Sequence, residues 1–262
     1  MNVFLGVGMY AWFDFSAASL DWHKEVAQEL WRRYGQHSSF YGWYVSEEVY
    51  GSLIPDQGEA AKDHYRQEVV PFPRVPELLP QIGPEKPLML ALNAHGMRQS
   101  QDVWPLVLRH LDIVCPFAFH RMPPGDITGE ESAAIWQRMC DRAGSHLWMA
   151  MEAFLFEGEA LIPRPIAALI QDLTRFPNFE KTLCYQYPGI FNSPASAVKP
   201  GGPRTVALYR EYQQYLKTCT RTQIGSPTKA SLITSSKLTD SRRLAARRFT
   251  HAPWPGIPAG AE

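Results

Sequence analysis

Short apolar runs alternate along the chain with longer stretches in which apolar residues recur every three or four positions. Runs rich in aliphatic and aromatic side chains are typical of buried strands, and periodic stretches are typical of helices that bury one face. The predicted strands cover residues 3–10, 40–48, 87–92, 111–119, 146–151 and 182–187. Helical stretches separate most of them, so the two kinds of element alternate.

Apolar spacing and cap residues together place the helices. Trp22, Val26 and Leu30 form one apolar face of a predicted helix over residues 21–34. Residues 128–131 (TGEE) have the spacing of a capping box, which opens a helix to about residue 143. The other predicted helices cover residues 59–68, 100–110, 163–176 and 203–217.

This alternation predicts an α/β fold with a parallel sheet and helices outside it. A closed TIM-like (β/α) barrel contains eight strand–helix units, and about six are visible here. We therefore expect an incomplete barrel over residues 1–217 that lacks the first two units. An upstream segment, or strand exchange in an oligomer, would complete it.

The chain changes character at residue 218. Residues 218–262 are rich in Ser, Thr, Arg and Pro and have almost no periodicity, which predicts a disordered tail. Residues 241–248 (SRRLAARR) are basic and would suit an acidic partner. A solvated tail without a partner is the favoured interpretation.

Composition narrows the function classes. The chain has 262 residues, with 26 Lys and Arg against 26 Asp and Glu, so charge gives no case for nucleic acid or an acidic membrane as a partner. No apolar run predicts a membrane span. Residues 1–10 lack the basic start and cleavage pattern of a signal peptide, so localisation stays unassigned. The four cysteines form no CxxC pair and are expected to be free thiols.

Carboxylates stand at the ends of two predicted strands. Glu47 and Glu48 close the run FYGWYVSEE, and Glu152 closes HLWMAME. Chemistry in a parallel barrel lies at the carboxyl ends of the strands, and two acids facing each other there can flank a glycosidic bond. The alternative is that these acids form salt bridges with arginines at the rim. Alternation directs Glu48 to the barrel axis and Glu47 to the other face.

Other polar and aromatic residues also fall at strand ends. They are candidates for binding sugar hydroxyl groups or lining the pocket, and each has a purely structural alternative: Asn93, His95, His120, Tyr185, Tyr187, Trp12 and Asp14. A metal site formed by His95, His120 and Glu152 lacks any HxH or HExxH spacing, so no metal is predicted. No phosphate loop or GxSxG motif is present, and no cofactor is predicted.

Several of these motifs occur in a fixed order that resembles a known family. FYGWYVSEEV, LDIVCPFAFHRM, HLWMAMEAFLFEGE and KTLCYQYPGIFNSP resemble an uncharacterised, largely bacterial family of domains of unknown function, regarded as glycoside-hydrolase-like (β/α)8 barrels. The resemblance covers about residues 3–217. It implies that this chain starts at the third strand, with residues 40–48 as strand four and residues 146–152 as strand seven.

The resemblance also implies roles. Strands four and seven carry the acid/base and the nucleophile in the large barrel clan of retaining glycosidases, which would make Glu48 the acid/base and Glu152 the nucleophile. By this analogy we expect a glycoside hydrolase that acts on an oligo- or polysaccharide with retention. The alternatives are a barrel that binds saccharide without turnover and an inactive, truncated relic.

Overall fold

Six parallel strands form the main sheet in the computed structural model, which describes residues 2–8, 16–53, 81–185 and 187–222. Its strands are β1 Val3–Gly6, β2 Phe40–Tyr50, β3 Leu88–Asn93, β4 Ile113–Phe117, β5 His146–Glu152 and β8 Lys181–Tyr185. They stand in the order β1-β2-β3-β4-β5-β8, and each neighbouring pair is parallel. The order never reverses, so the sheet winds in one direction, as in a barrel.

The predicted fold class is thereby confirmed as an incomplete, TIM-like α/β barrel. The sheet is curled, and β1 and β8 are its two edges among the described residues. All six predicted strands are present, but three are shorter than expected, among them the fourth, which covers Ile113–Phe117 where residues 111–119 were predicted. The first ends at Gly6, and the last ends at Tyr185, before a short helix that begins at Tyr187.

Six α-helices are described. They are α1 Ala17–Tyr34, α2 Trp104–Leu108, α3 Gly129–Ala143, α4 Ile166–Arg175, α5 Tyr187–Ile190 and α6 Gly202–Thr222. The predicted capping box of α3 is confirmed: the Glu131 N–H donates to Thr128 Oγ1 at 3.2 Å, and the Thr128 N–H donates to Glu131 Oε2 at 2.9 Å. Both bonds satisfy amide groups that the first helical turn leaves unpaired.

Three helix boundaries differ from the expectation. Helix α1 starts earlier, because Ser16 caps it by accepting the Ser19 N–H at 3.2 Å. The helix expected over 100–110 is instead a 3₁₀ turn, Met97–Ser100, followed by the short α2. Helix α6 continues past residue 217 to Thr222. The helix predicted over 59–68 and the tail from residue 223 lie outside the described residues.

Two hydrophobic clusters lie on opposite faces of the sheet. The larger one joins strand residues such as Trp43 and Leu90 to helix residues such as Trp136. The smaller one contains strand residues alone, and its members are Met89, Ile113, Cys115 and Trp148, with Phe4, Tyr44, Ala91, Ala150 and Leu183 packed against them. Side chains alternate along a strand, so the smaller cluster marks the concave, inner face.

Strand β2 carries an irregularity near its end. Val45 pairs with Leu90 and Val49 pairs with Leu92, so three residues of β2 oppose one residue of β3. Two extra residues preserve the alternation, and Val45 and Val49 both join the helix-side cluster. The bulge falls on residues 46–48, the segment that contains Glu48.

A second, two-stranded sheet follows β5 and was not predicted. Strand β6, Phe154–Glu157, pairs antiparallel with β7, Ala160–Pro163. The connecting loop has two residues, and its first, Gly158, has a φ of +62°. A positive φ at the first loop position suits glycine and is typical of tight hairpins. In the part of the chain that is described, no helix is long and apolar enough to cross a membrane.

Candidate active site

The carboxyl ends of β2 and β5 bring the two predicted acids into one charged cluster. Glu152, the last residue of β5, follows Trp148 and Ala150 on the inner face and is 3% exposed. Glu48 lies in the bulge of β2, where alternation alone is a weaker guide to orientation. Its carboxyl group interacts electrostatically with both Arg121 and Glu152, which indicates that it faces the same space.

Arg121 holds Glu152 through a two-point contact. Its Nε donates to Oε2 at 3.0 Å, and its Nη2 donates to Oε1 at 2.6 Å. The arginine side chain is 31% exposed, so one side of the pair faces solvent. This planar geometry is strong and fixes the orientation of the carboxylate. The salt-bridge alternative considered for strand-end acids is therefore present at Glu152.

The surroundings of Glu48 favour its protonated carboxyl group. Burial raises the pKa of its carboxyl group, the Arg121 guanidinium lowers it, and the Glu152 charge raises it again. The net direction is upward. A carboxyl group that keeps its proton to higher pH is suited to general-acid chemistry. The side chain of its neighbour, Glu47, lies outside the described residues.

His120 makes the other contact with Glu152. Its Nδ1 lies 3.4 Å from Oε2. The pKa of His120 is lowered to about 4, mainly by burial; the charges of Arg164 and Arg121 also lower it, and the Asp172 charge raises it. The neutral ring has one donor and one acceptor nitrogen, which suits contact with a hydroxyl group.

The turn after β4 places His120 and Arg121 beside β5. Ala118 adopts a left-handed conformation with a φ of 70°, and the 3₁₀ turn Phe119–Arg121 follows. Such a conformation costs free energy for a residue other than glycine and is frequent at functional sites. Pro116 of β4 keeps register with Leu92 of β3. Pairing of β4 with β5 is seen only at Ile113 and Val114.

Arg164 fixes the backbone at the end of β5. Its Nη1 donates to the Glu152 carbonyl oxygen at 3.0 Å and to Asp172 Oδ2 at 2.8 Å. Both side chains are nearly buried, at 6% and 8% exposure. The pair therefore connects β5 to α4 and steadies the backbone that carries Glu152.

Asn93 and His95 lie at the end of β3, as predicted. The Asn93 Oδ1 accepts the His95 N–H at 3.1 Å, and the Asn93 carbonyl oxygen accepts the Gly51 N–H at 2.6 Å. Asn93 is 4% exposed. Its side-chain oxygen therefore has a structural role in this turn, and a substrate contact by either residue stays a prediction.

Among the aromatic candidates, only the side chain of Tyr185 lies within the described residues. Tyr185 ends β8 directly beside Glu152 in the ladder and is 56% exposed. Tyr187 begins α5, but its side chain lies outside the described residues, as do Trp12 and Asp14 entirely. Within the described ranges, no group of three or more His, Cys, Asp and Glu side chains has a geometry that would hold a metal ion.

Sequence reasoning missed two arginines of this cluster. Arg121 directly follows His120 at a strand end, so its position was a usable signal. Arg164 sits between two prolines of the sequence PRP, and nothing local distinguishes it from a solvent-exposed residue. Its role arises only when the hairpin returns the chain to β5.

Residues 1–198 match the family described as "Domain of unknown function (DUF4434)". The match covers most of the chain, and the protein belongs to this family. The expected family resemblance is thereby confirmed. A search of curated proteins found no match.

Two solved structures share the fold. One is described as a "putative alpha-L-fucosidase" from Bacteroides thetaiotaomicron VPI-5482, with a TM-score of 0.56, 17% identity, and coverage of 77% of this chain and 63% of that one. The other is a beta-galactosidase from the psychrophilic Marinomonas ef1, with a TM-score of 0.53, 11% identity, and coverage of 81% and 44%. The chain thus spans less than two thirds of either neighbour. At such identities the likeness concerns the fold.

Proposed function

We propose that this barrel binds an oligo- or polysaccharide and hydrolyses a glycosidic bond, with Glu48 as general acid/base and Glu152 as nucleophile. The observation that carries this proposal is the unequal environment of two acids within one strand-end cluster. Glu48 has a raised pKa, and Glu152 is held by Arg121. Two carboxyl groups with divided roles are the usual requirement of glycoside hydrolysis.

In the proposed reaction, Glu48 protonates the leaving oxygen while Glu152 attacks the anomeric carbon. The covalent intermediate is then hydrolysed by water, which Glu48 activates as a base, so the anomeric configuration is retained. Arg121 orients Glu152 before substrate binds, and His120 contacts sugar hydroxyl groups. Two of the structural neighbours are described as a "putative alpha-L-fucosidase" and a beta-galactosidase, which agrees with a carbohydrate substrate.

The test compares two variants on two kinds of substrate. Purified protein is assayed on a panel of nitrophenyl glycosides and on polysaccharides with poorer leaving groups. Glu152→Gln should lower turnover about 10³-fold or more on both kinds, because the amide is no nucleophile. Glu48→Gln should lower it about 10²–10⁴-fold on polysaccharides and far less on nitrophenyl glycosides, which hardly need the proton.

Glu130→Gln is the matched control, because it removes an exposed carboxylate that also pairs with an arginine, Arg175. It should leave turnover unchanged. Full activity of Glu152→Gln or Glu48→Gln would refute the assigned roles. Retention is tested separately by following the anomeric configuration of the first product by NMR.

A second candidate function is saccharide binding without turnover. The observation in its favour is the Arg121–Glu152 pair, since a carboxylate engaged by a guanidinium at 2.6 Å is a poor nucleophile until that contact loosens. Under this alternative, saccharide binds to the wild-type protein but no substrate of the panel is cleaved.

A further inference from the structure

The hairpin after β5 exposes apolar side chains beside the candidate site. Seven large apolar residues of the described chain are well exposed, and three of them lie together on one face of the hairpin and at the end of β8: Phe156, Leu161 and Tyr185. Leu155 lies on the opposite face of β6, and the other three, Tyr34, Leu106 and Val198, are scattered. Single exposed apolar residues are ordinary, whereas a cluster marks an interaction site.

Phe154, Phe156, Leu161 and Tyr185 form one apolar surface. Phe156 pairs with Leu161 across the hairpin, and Phe154 precedes Phe156 by two residues, so the side chains of Phe154, Phe156 and Leu161 are on the same face of the hairpin. The Phe154 ring centroid lies 5.4 Å from that of Phe156 and 6.0 Å from that of Tyr185. We call this surface the hairpin face. Phe156 is its most exposed member, at 59%.

The hairpin face is continuous with the carboxylate cluster. The Arg121 guanidinium carbon lies 5.5 Å from the Phe156 ring centroid, and the same guanidinium holds Glu152. The arginine thus stands between ring and carboxylate. A sugar stacked on Phe156 is therefore not the sugar whose anomeric carbon meets Glu152, but a neighbouring one.

The base of the hairpin is fixed to the barrel. The Ala153 N–H donates to the Tyr185 carbonyl oxygen at 2.8 Å, and the Arg164 N–H donates to the Ala153 carbonyl oxygen at 2.8 Å. Phe154 is buried at this base. The hairpin face consequently has a defined position relative to Glu152, and a preformed apolar surface binds a ligand with less loss of entropy.

Charges at the turn favour an uncharged ligand. Glu157 and Glu159 are both exposed there. Arg204 is 3.3 Å from Glu157, and both side chains are largely in solvent, so the pairing is weak. An acidic margin repels a saccharide that carries carboxylates.

We propose that the hairpin face binds one ring of a neutral oligosaccharide by stacking on Phe156, next to the unit held at Glu48 and Glu152. The substrate then has at least two sugar units and extends from the barrel mouth along β6. This inference rests on the proposed function, because it takes the strand-end cluster as a carbohydrate site. The apolar faces of sugar rings pack on aromatic rings.

The experiment measures binding directly and compares Phe156→Ala with Leu155→Ala. Leu155 is the adjacent residue, is 40% exposed and lies on the opposite face of β6. Calorimetric titrations use cellohexaose, xylohexaose, mannohexaose and maltohexaose as neutral probes and hexagalacturonate as the acidic probe. Phe156→Ala should weaken neutral binding about tenfold and Leu155→Ala less than twofold. Phe156→Trp should retain binding and change its fluorescence on titration.

The outcomes separate this inference from the proposed function. Selective loss of binding in Phe156→Ala supports the hairpin face even when no protein hydrolyses any substrate. Hydrolysis that is insensitive to both substitutions, tighter binding of hexagalacturonate, or no binding of any probe overturns the inference. Dimerisation that Phe156→Ala abolishes also overturns it, since the face would then join two copies. Circular dichroism verifies that each variant is folded.

Discussion

At the scale of single residues, one guanidinium sets the charge balance of the candidate site. Arg121 neutralises the buried Glu152 carboxylate, and it opposes the effect of burial on the pKa of Glu48. A nucleophilic Glu152 requires this pair to loosen when substrate arrives, whereas a binding protein has no such requirement. The strength of the pair therefore bears on both candidate functions.

Removing this guanidinium should destabilise the protein strongly. Arg121→Met leaves a carboxylate that is 3% exposed without its main partner, and an uncompensated buried charge costs on the order of 3 kcal/mol. Arg175→Met is the control, because the Arg175–Glu130 pair is exposed and contributes about 0–1 kcal/mol. Urea unfolding at pH 7 measures both. If both variants lost the same free energy of unfolding, the burial of Glu152 would not explain the cost of removing Arg121.

His120 should make the protein sensitive to mild acid. Its folded-state pKa is about 4, below the usual 6.5, so the unfolded chain takes up the proton first as pH falls. The contribution of the neutral His120 ring to the free energy of unfolding is therefore complete above about pH 6.5. It falls by up to about 3 kcal/mol between about pH 6.5 and about pH 4. His120→Gln should lack this acid-induced loss in urea unfolding series.

His146 provides a control of opposite sign. The Glu180 side chain, a hydrogen-bond partner, raises the pKa of His146. Its stabilisation is therefore present at pH 5.5 and fades as pH rises past the usual value of 6.5. Both side chains are more than a third exposed, so the effect should stay below about 1 kcal/mol. If His120→Gln and His146→Gln changed the pH dependence of the free energy of unfolding in the same direction, the opposite contributions assigned to the two histidines would be wrong.

At the scale of elements, burial decided what the sequence could predict. The central strands of the sheet carry continuous apolar runs because both of their faces are covered, and all six strands were found. The hairpin was missed because β6 and β7 are largely exposed and do not alternate in polarity, and the turn Gly158-Glu159 is too short a signal alone. The start of α1 was missed because Ser16 follows a stretch without helical spacing.

Strand β2 should not tolerate a side chain at Gly42. A Cβ there would lie 2.5 Å from the Pro87 carbonyl oxygen, which accepts the Trp43 N–H in the β2–β3 ladder, and 2.6 Å from the Phe4 ring. Backbone cannot move aside cheaply, so Gly42→Ala should cost about 1–3 kcal/mol. The position of Glu48 further along β2 should shift with it, which would also lower any activity.

The control for this substitution is Gly6→Ala in β1. A Cβ at Gly6 would lie 2.7 Å from Ser46 Oγ, and a serine hydroxyl can rotate away. Thermal unfolding should therefore show a change below about 1 kcal/mol for Gly6→Ala. A larger loss for Gly6→Ala than for Gly42→Ala would show that the two strands pack differently from the described register.

At the scale of the whole molecule, the sheet is more deeply buried at its centre than at its edges. Strands β3 and β4 are almost wholly buried, whereas β1 and β8 are only partly buried and, within the described ranges, each pairs on one side. The barrel class followed from the sequence because six strand–helix units recur along it. The pairing of Arg121 with Glu152 did not, because contact between residues 31 positions apart depends on how β4 and β5 end.

Hydrogen exchange followed by mass spectrometry should reproduce this gradient. Amides of β3 and β4 should exchange most slowly, since opening them requires disruption of the sheet centre. Amides of β1 and β8 should exchange faster, since edge strands open locally. Protection of β1 or β8 equal to that of β3 would indicate that a further strand covers that edge in solution.

The hairpin of β6 and β7 can change its length without altering the strand pairing of the main sheet. Among the described residues its strands pair with each other and not with the main sheet, and one two-residue turn closes it. Inserting two residues into each strand between the base of the hairpin and Phe156 or Leu161 keeps both side chains on their present face. Inserting one residue into each strand would move both to the opposite face. Under the proposed function, insertion or deletion of residues in pairs would change how far the hairpin face extends from Glu152 while keeping Phe156 and Leu161 on that face.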